Sequence, residues 1–316
     1  MTRVLAVIVN YRTAGLACDC LDAVARLPEV AAGELTVVVA DNASGDGSAE
    51  RLTVHVGERK YDWCRVVARP ANDGFAAGNT AVIAPAVSGP APPDAVWLLN
   101  PDTAPRPDAL APLVEALRNP RVGLVGSRLE NPDGTPQRSA FRLPSMWSEF
   151  ERAARTGPVS RLLANHLLAP PLPACASDVG WLSGASLLVR REVFTTAGHL
   201  DPGYFLYFEE TDFCRRAGRA GWRCRYEPAS QVVHLVGQAT GVDGRNARPK
   251  PVPGYWFASR RRYFETAQGV VVARVADFGW LAGHAIWRLR RRLERRPDDD
   301  PPGLVRDFLQ HTWGLK

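Results

Sequence analysis

Apolar residues in the first hundred positions come in short continuous runs rather than helical stripes. Val4–Val9, Leu35–Ala40 and Val96–Leu99 are unbroken aliphatic or β-branched segments, and Arg65–Ala68 is a shorter one. Runs of that length without polar alternation predict strands covered on both faces, as at the centre of a parallel sheet. Between them, Ala14 to Leu27 has helical character, and Asn72 to Ala84 reads as a glycine-bearing turn entering a helix. Strand and helix in alternation predict an α/β domain with a parallel sheet. Further along, Val122–Val125 predicts a strand, Asn131-Pro-Asp-Gly134 a tight turn or hairpin, and Trp181–Arg190 a strand-like course. Gly157–Ser177 and Thr240–Gly254 mix Pro, Gly and polar residues without period. Both are expected as mobile loops, the first of the kind that serves as a lid.

The character changes at Tyr255. Tyr255–Gln268 predicts a basic helix, and Val270–Leu293 a second helix of Val, Phe, Trp, Leu and Ile interrupted by Arg274, Asp277 and His284. The run from Arg288 to Arg296 ends it, and Asp298-Asp-Asp-Pro-Pro302 breaks it. Apolar and basic residues together predict an amphipathic helix on a membrane surface; the alternative is a helix packed on the main domain with its basic end exposed. The expected organisation is a main domain over 1–254, with halves of about 1–125 and 126–254, followed by a basic helical extension over 255–316.

Composition adds bounds. The 316 residues, 46% hydrophobic and 23% charged, suit one large or two modest globular domains. The net charge of +6 is concentrated at Arg260–Arg262 and Arg288–Arg296, which points to an anionic partner. The six cysteines carry no zinc-type spacing and suit a cytosolic chain with incidental thiols. Met1–Val9 is too short for a signal peptide and reads as the first strand. No uninterrupted apolar stretch is long enough to span a membrane.

Candidate chemistry gathers where strands end. Asn10-Tyr11, Asp41-Asn42, Asn100 and Asp102 all follow strand runs, and open α/β sheets bind ligands beyond the carboxyl ends of their strands. Asn and Asp are also ordinary turn residues, so it is their conjunction that suggests one shared site. The stretch Phe205-Leu-Tyr-Phe-Glu-Glu-Thr-Asp212 places the three carboxylates Glu209, Glu210 and Asp212 within four residues. Neighbouring carboxylates repel, so one of them can be driven toward proton acceptance; the alternative is a solvated helix start. Asn100-Pro101-Asp102 offers one carboxylate to a hard cation, and His234 an imidazole, unless His234 is a core histidine. The turn Asn10–Gly15 lacks the dinucleotide fingerprint and the P-loop, and Ser183-Gly184 lacks the context of a nucleophile elbow.

Val7-Ile-Val-Asn-Tyr-Arg12, Val39-Ala-Asp-Asn-Ala-Ser44, Asn72-Asp-Gly-Phe-Ala-Ala-Gly-Asn79, Leu98-Leu-Asn-Pro-Asp102, Trp181-Leu-Ser-Gly-Ala185, Phe205–Arg216 and His234 occur in that order. As a set they resemble the family 2 glycosyltransferases, and most closely the bacterial rhamnosyltransferase-like branch, over about Val4 to Gly241 and again at Arg260–Gly269. The resemblance implies an α/β GT-A fold, a Rossmann-like mostly parallel sheet flanked by helices, with a C-terminal helical extension. It implies a nucleotide-sugar donor, a divalent cation (Mn or Mg) and inversion at the anomeric carbon. Asn10, Tyr11 and Arg12 would lie beside the base, Asp41 and Asn42 would hold the base or ribose, and Asn72, Gly74 and Asn79 would shape the nucleotide pocket. Asn100 and Asp102 stand at the family's D-x-D, whose first Asp is here Asn100. Asp102 and His234 would hold the metal. Glu210 stands where the family's catalytic base is usually Asp; its side chain is longer by a methylene, and Asp212 or Glu209 are the alternatives. Trp181 and Gly184 would face the acceptor.

The implied reaction moves a sugar, with rhamnose the first guess, from a dTDP- or UDP-sugar to a glycan or polyprenyl diphosphate-linked acceptor in cell-surface polysaccharide assembly. The expected location is the cytoplasm, peripheral on the inner face of the cell membrane through the C-terminal helices, and nucleic acid is not an expected partner. A nucleotidyltransferase with a related sheet and a non-enzymatic membrane-surface module are the alternatives. The first would need a Lys/Arg-rich phosphate loop, which Asn10–Gly15 does not supply.

Overall fold

The structure, a computed structural model, describes residues 2–235 and 250–314; the expected loop over Thr240–Gly254 lies mostly outside them. Along the chain run β1 (Val4–Asn10), α1 (Ala14–Val24), α2 (Pro28–Ala31), β2 (Leu35–Asp41), α3 (Ser48–Arg59), β3 (Cys64–Ala68), α4 (Phe75–Ser88), β4 (Ala95–Leu99), β5 (Thr103–Pro105), α5 (Leu110–Ala116) and β6 (Val122–Glu130). Next come β7 (Ala140–Phe141), α6 (Met146–Ala154), α7 (Gly157–Leu162), β8 (Ser177–Val179), β9 (Trp181–Leu182), β10 (Ser186–Arg190), α8 (Arg191–Thr196), α9 (Glu209–Arg219) and β11 (Arg223–His234). The helices α10 (Gly254–Gln268), α11 (Val270–Leu293) and α12 (Leu304–Trp313) close the chain. Two compact units form. One holds the residues up to Ala140, Leu172–Phe205 and the chain from Glu209 through β11; the other holds Phe141–Pro171, Leu206–Phe208 and the C-terminal helices.

The first unit is built on a nine-stranded mixed sheet in the order β3-β2-β1-β4-β10-β6-β11-β5, with β8 also paired to β11. β3, β2, β1 and β4 are parallel, as the apolar runs predicted. Beyond β4 the sheet is mixed: β10 is antiparallel to both neighbours and β5 runs antiparallel to β11, while β11 is parallel to β6. Burial on both faces explains the unbroken runs. Val4, Ala6, Ile8, Val37, Val39, Trp97 and Leu99 pack on one side of the sheet, and Leu5, Val7, Val38, Ala40, Val96 and Leu98 on the other. Each such Val or Leu contributes about 1.5–3 kcal/mol by leaving water. The pairing Asn10↔Asp41 at the last register position brings the first two strand-end polar residues side by side.

Two expected elements differ locally. Trp181–Arg190 is broken into β9 and β10 by Ser183-Gly184-Ala185, which turns a backbone N–H out of the sheet. Gly157–Ser177 contains α7 and a 3₁₀ turn at Ala164–His166, because Pro158 sits at the start of α7, where its missing N–H costs nothing.

The second unit is a helical packing. α6 starts at a capping box in which Ser145 and Ser148 exchange side-chain and backbone hydrogen bonds. α6 crosses α11 closely at two glycines: a Cβ on Gly283 would lie 2.4 Å from the Phe150 carbonyl, and one on Gly279 3.3 Å from that of Met146. Ala153, Phe257, Trp280 and Phe308 form its apolar centre. Within it Arg260 is buried. Its Nε donates to Glu149 (2.7 Å) and its Nη1 to Asp277 (2.6 Å), so one guanidinium ties α10 to α6 and α11. Burial works against the charge on Glu149, but Arg260 and Arg152 together hold its carboxyl below the usual range. At Asp277 burial prevails and the carboxyl is raised.

Removing one partner of a buried ion network strands the others. Arg260→Ala should therefore lower stability by about 3–5 kcal/mol in chemical denaturation. Replacing Arg260, Glu149 and Asp277 together by apolar residues of similar volume should recover much of that loss. Equal losses in both variants would show that packing, not the charge network, matters.

Candidate active site

The carboxyl ends of β1 and β2 form a closed polar cradle. Asn10, fully buried, donates from Nδ2 to Asp41 Oδ1 at 2.7 Å, and Thr13 donates to Asn10 Oδ1 at 2.9 Å. Ser44 donates to Asp41 Oδ1 at 2.5 Å and its backbone N–H to Oδ2 at 3.1 Å. The Arg12 N–H donates to Ser44 Oγ, and its Nε to the Ser44 carbonyl. Arg12 has a positive φ of 57°, and its guanidinium lies 5.2 Å from the centre of the exposed Tyr11 ring. Ser44 is thus the hinge of this corner. It lay inside a recognised motif, but nothing local in the sequence marked it as the partner of three residues.

Asn42 faces the next loop. Its Nδ2 donates to the Gly74 carbonyl (3.0 Å), and Arg69 donates to its Oδ1 (2.8 Å). Asn72 Oδ1 accepts from the Gly74 N–H (3.1 Å), a short turn that leads into α4. Gly74 has φ +92° and ψ 179°, a conformation open essentially to glycine alone. A Cβ there would stand 2.1 Å from the Phe205 carbonyl oxygen, which also accepts from the Phe75 N–H at 2.8 Å. This contact joins the Asn72–Gly74 turn to the segment that leads to the acid cluster. Asn79, one turn into α4, is fully buried; its Nδ2 donates to the Phe75 carbonyl and its Oδ1 has no partner.

The three acids meet three environments. Asp212 is buried and both oxygens are taken, by Arg215 (2.6 Å) and Arg216 (2.7 Å). Glu209 is 3% exposed, and burial together with the charge of Glu210 pushes its carboxyl well above the usual range. Glu210 is raised by burial, opposed by backbone N–H groups including that of Gly184, and its Oε2 has no hydrogen-bond partner. A Cβ on Gly184 would lie 3.7 Å from Glu210 Cβ and 3.6 Å from the Phe75 ring, so these three residues are neighbours. The break between β9 and β10 is what aims the Gly184 N–H at Glu210. Trp181, on β9, is half-buried against the core on this side of the sheet. Just before α9, Tyr207 and Phe208 both hold positive φ, 69° and 68°, strained values for aromatic residues.

Asn100 and Asp102 follow β4. The Asn100 N–H donates to the Ala185 carbonyl, and its own carbonyl accepts from Thr103. Asp102 is buried, and its Oδ1 has no hydrogen-bond partner. His234 pairs in register with Thr103, which places its Nε2 3.5 Å from Asp102 Oδ1. Gln137 sets the imidazole. Its amide donates to the His234 carbonyl (2.7 Å), the Glu130 carbonyl (3.2 Å) and Asn131 Oδ1 (3.0 Å). That turns its own oxygen toward His234 Nδ1 at 3.1 Å. In the neutral ring Nδ1 then donates, and Nε2 presents a lone pair toward a carboxylate oxygen. Two facing acceptors without a proton between them suit a cation, and the residues fit a hard divalent ion. Among the described residues no group of three or more His, Cys, Asp or Glu could hold a metal, so water or ligand oxygens would have to complete the shell. Gln137 was missed in the sequence. The turn Asn131–Gly134 was its signal, since it returns the chain antiparallel at Glu130↔Pro136 and brings Gln137 to the end of β6.

Known proteins resemble this chain in sequence and in fold. The family described as "Glycosyltransferase like family 2" matches residues 2–251. The N-acetylglucosaminyl-diphospho-decaprenol L-rhamnosyltransferase of Mycobacterium tuberculosis is 30% identical over 233 residues, 66% of this chain and 69% of that protein. The rhamnosyltransferase WbbL of Escherichia coli is 29% identical over 151 residues, 46% of this chain and 54% of that protein. Among solved structures, the mannosyltransferase PcManGT of Pyrobaculum calidifontis, in complex with GDP-Man and Mn²⁺, superposes with a TM-score of 0.60 at 15% identity, covering 100% of this chain and 88% of that one. GalNAc-T7 with UDP, GalNAc and Mn²⁺ gives 0.59 at 14% identity, covering 98% and 58%. These neighbours share the GT-A fold. The chain belongs to glycosyltransferase family 2.

Proposed function

We propose that this glycosyltransferase transfers rhamnose, with inversion, from a dTDP- or UDP-linked donor to a hydroxyl of a polyprenyl diphosphate-linked glycan, at the inner face of the membrane in cell-surface polysaccharide assembly. The observation that carries the reading is Glu210. It is a half-buried carboxyl, raised by its surroundings, held by the Gly184 N–H and left with one unpartnered oxygen, on a sheet whose strand ends carry the Asn10–Asp41 cradle and the Asp102–His234 pair. The rhamnosyltransferase names of the relatives support the sugar and the lipid-linked acceptor.

In this reading Asn10, Tyr11, Arg12, Asp41 and Asn42 receive the base and ribose, and the Asn72–Gly74 turn with Asn79 shapes the pocket. Glu210 accepts the proton of the acceptor hydroxyl as that oxygen bonds to the anomeric carbon. The bond from the anomeric carbon to the diphosphate breaks, and its electron pair leaves with the nucleotide. Asp102 and His234, oriented by Gln137, would hold a Mn or Mg ion, which supplies positive charge to the departing diphosphate. Asp212 locks Arg215 and Arg216 and so holds the first turns of α9. Trp181 offers an apolar ring to the acceptor.

Glu210→Gln should reduce transfer about 10²–10⁴-fold, with the thermal transition intact. Because burial raises Glu210, the acid limb of kcat/KM should lie above the ordinary glutamate value of 4.5, with activity lost as pH falls through it. Unchanged turnover in the variant, with the acid limb retained, would move the base elsewhere.

Glu209 carries a different expectation. The folded chain keeps its proton where the unfolded chain has lost it, so its burial costs stability increasingly as pH rises above the unfolded value. Glu209→Gln should raise the melting temperature at neutral pH and change it little at pH near 4.5, the ordinary glutamate value.

Metal binding is read directly by calorimetry with Mn²⁺. Gln137→Ala should weaken it about 10–100-fold through loss of His234 orientation, and Asp102→Ala should abolish it. Unaltered Mn²⁺ affinity in Asp102→Ala would remove this pair from the metal site.

A further inference from the structure

α11 shows two opposed faces. Ala273, Ala276, Asp277, Trp280, Gly283, His284 and Trp287 are buried against the rest of its unit. On the other side Val271, Val275, Phe278, Ile286, Leu289 and Leu293 recur at helical spacing and are exposed, Val271 at 77%, Phe278 at 62%, Leu289 at 61% and Leu293 at 76%. An exposed apolar row running the length of a 24-residue helix is unusual on a surface that meets only water. The helix is held in place from behind by the glycine crossing with α6 and by Arg260, so the row is presented rigidly.

The charge beside the row is one-sided. Asp277, the single acid of α11, is buried on the opposite face and engaged by Arg260. Arg288, Arg292 and Arg295 form no ion pair among the described residues, whereas Glu294 just beyond the helix is neutralised by Arg290 (2.7 Å) and Arg296 (2.6 Å). The Trp313 ring lies 5.2 Å from that of Phe278, adding an aromatic of the type favoured at a membrane–water boundary. Among the described residues no helix is long and apolar enough to cross a membrane.

We propose that this face of α11 docks on an anionic lipid bilayer. The row from Val271 to Leu293 enters the boundary between headgroups and acyl chains, and Arg288, Arg292 and Arg295 meet lipid phosphates. Charge complementarity selects this occupant over a second copy of the chain. A two-fold contact through the same face would bring the arginine-rich border against itself or leave it idle, whereas an anionic surface satisfies it along its whole length. The inference deepens the reading of a membrane-borne acceptor and rests on it for its purpose; the face then acts as a positioning device, holding the enzyme where that acceptor lies.

The test is co-sedimentation of the full chain with vesicles of phosphatidylcholine alone and of phosphatidylcholine with equimolar phosphatidylglycerol. The expected result is binding to the anionic vesicles that weakens with salt. It should fall at least about tenfold in Phe278→Glu/Leu289→Glu, through loss of apolar burial. It should fall about fivefold per arginine in the Arg288→Gln, Arg292→Gln and Arg295→Gln series, since each contact near the surface is worth about 1 kcal/mol. Donor hydrolysis in solution should be unchanged in every variant. Vesicle binding that survives both sets of changes overturns the proposal, as does failure of the natural sequence to sediment with anionic vesicles. A concentration-dependent dimer that Phe278→Glu dissociates would assign the face to a second copy instead. Vesicle binding without sugar transfer would fault the reaction assigned above while leaving the docking face in place.

Discussion

The Phe205 carbonyl occupies the space where residue 74 would carry a side chain, and the candidate site depends on that contact. Only glycine permits it, on two grounds: the backbone there has φ +92°, and a Cβ would sit 2.1 Å from the oxygen. The Phe75 N–H, at the start of α4, donates to that same carbonyl, so the first free amide of the helix is satisfied by the loop that leads to α9. Through Asn42, which donates to the Gly74 carbonyl, the contact is tied to the end of β2. The corner at the end of β2 and the loop that leads to the acids are thereby set relative to each other by backbone atoms, which move less than side chains do.

Around that contact the molecule sorts similar groups by environment. Three acids close in sequence end up with distinct properties: Asp212 spends its charge on two arginines, Glu209 is buried without a cation, and Glu210 is half-buried and meets the Gly184 N–H. The same principle operates in the second unit, where Arg260 pairs with two buried carboxylates but the second arginine is closer at Glu149 (Arg152, 3.3 Å) than at Asp277 (Arg274, 3.8 Å). Charge alone does not assign a role in either place; the number of donors and the depth of burial do.

Much of the first unit was legible as pattern. β1, β2 and β4 stand where unbroken apolar runs predicted them, because a strand buried on both faces has no polar alternation to display. The polar residues at their ends were legible for a related reason: parallel strands finish at one edge, so residues that end different runs must come together. The mixed pairing beyond β4 was not legible, since β10 is as apolar as a parallel strand and direction leaves no mark on composition. Nor was the break at Ser183–Ala185, which is a matter of where backbone hydrogen bonds are found. Gln137 was missed, although the Asn131–Gly134 turn marked its return, because an amide acquires its role only when that turn brings it to a histidine nearly a hundred positions away.

The sequence by itself determined the parallel core, the membership of the acid cluster and the presence of a basic, apolar C-terminal helix, because each is carried by residue types at short spacing. Which acid meets the Gly184 N–H, which nitrogen of His234 faces Asp102 and which side of α11 meets solvent were decided by the tertiary structure. Each of those depends on a partner distant in the chain, and burial, hydrogen bonding and helix facing have no meaning until that partner is in place.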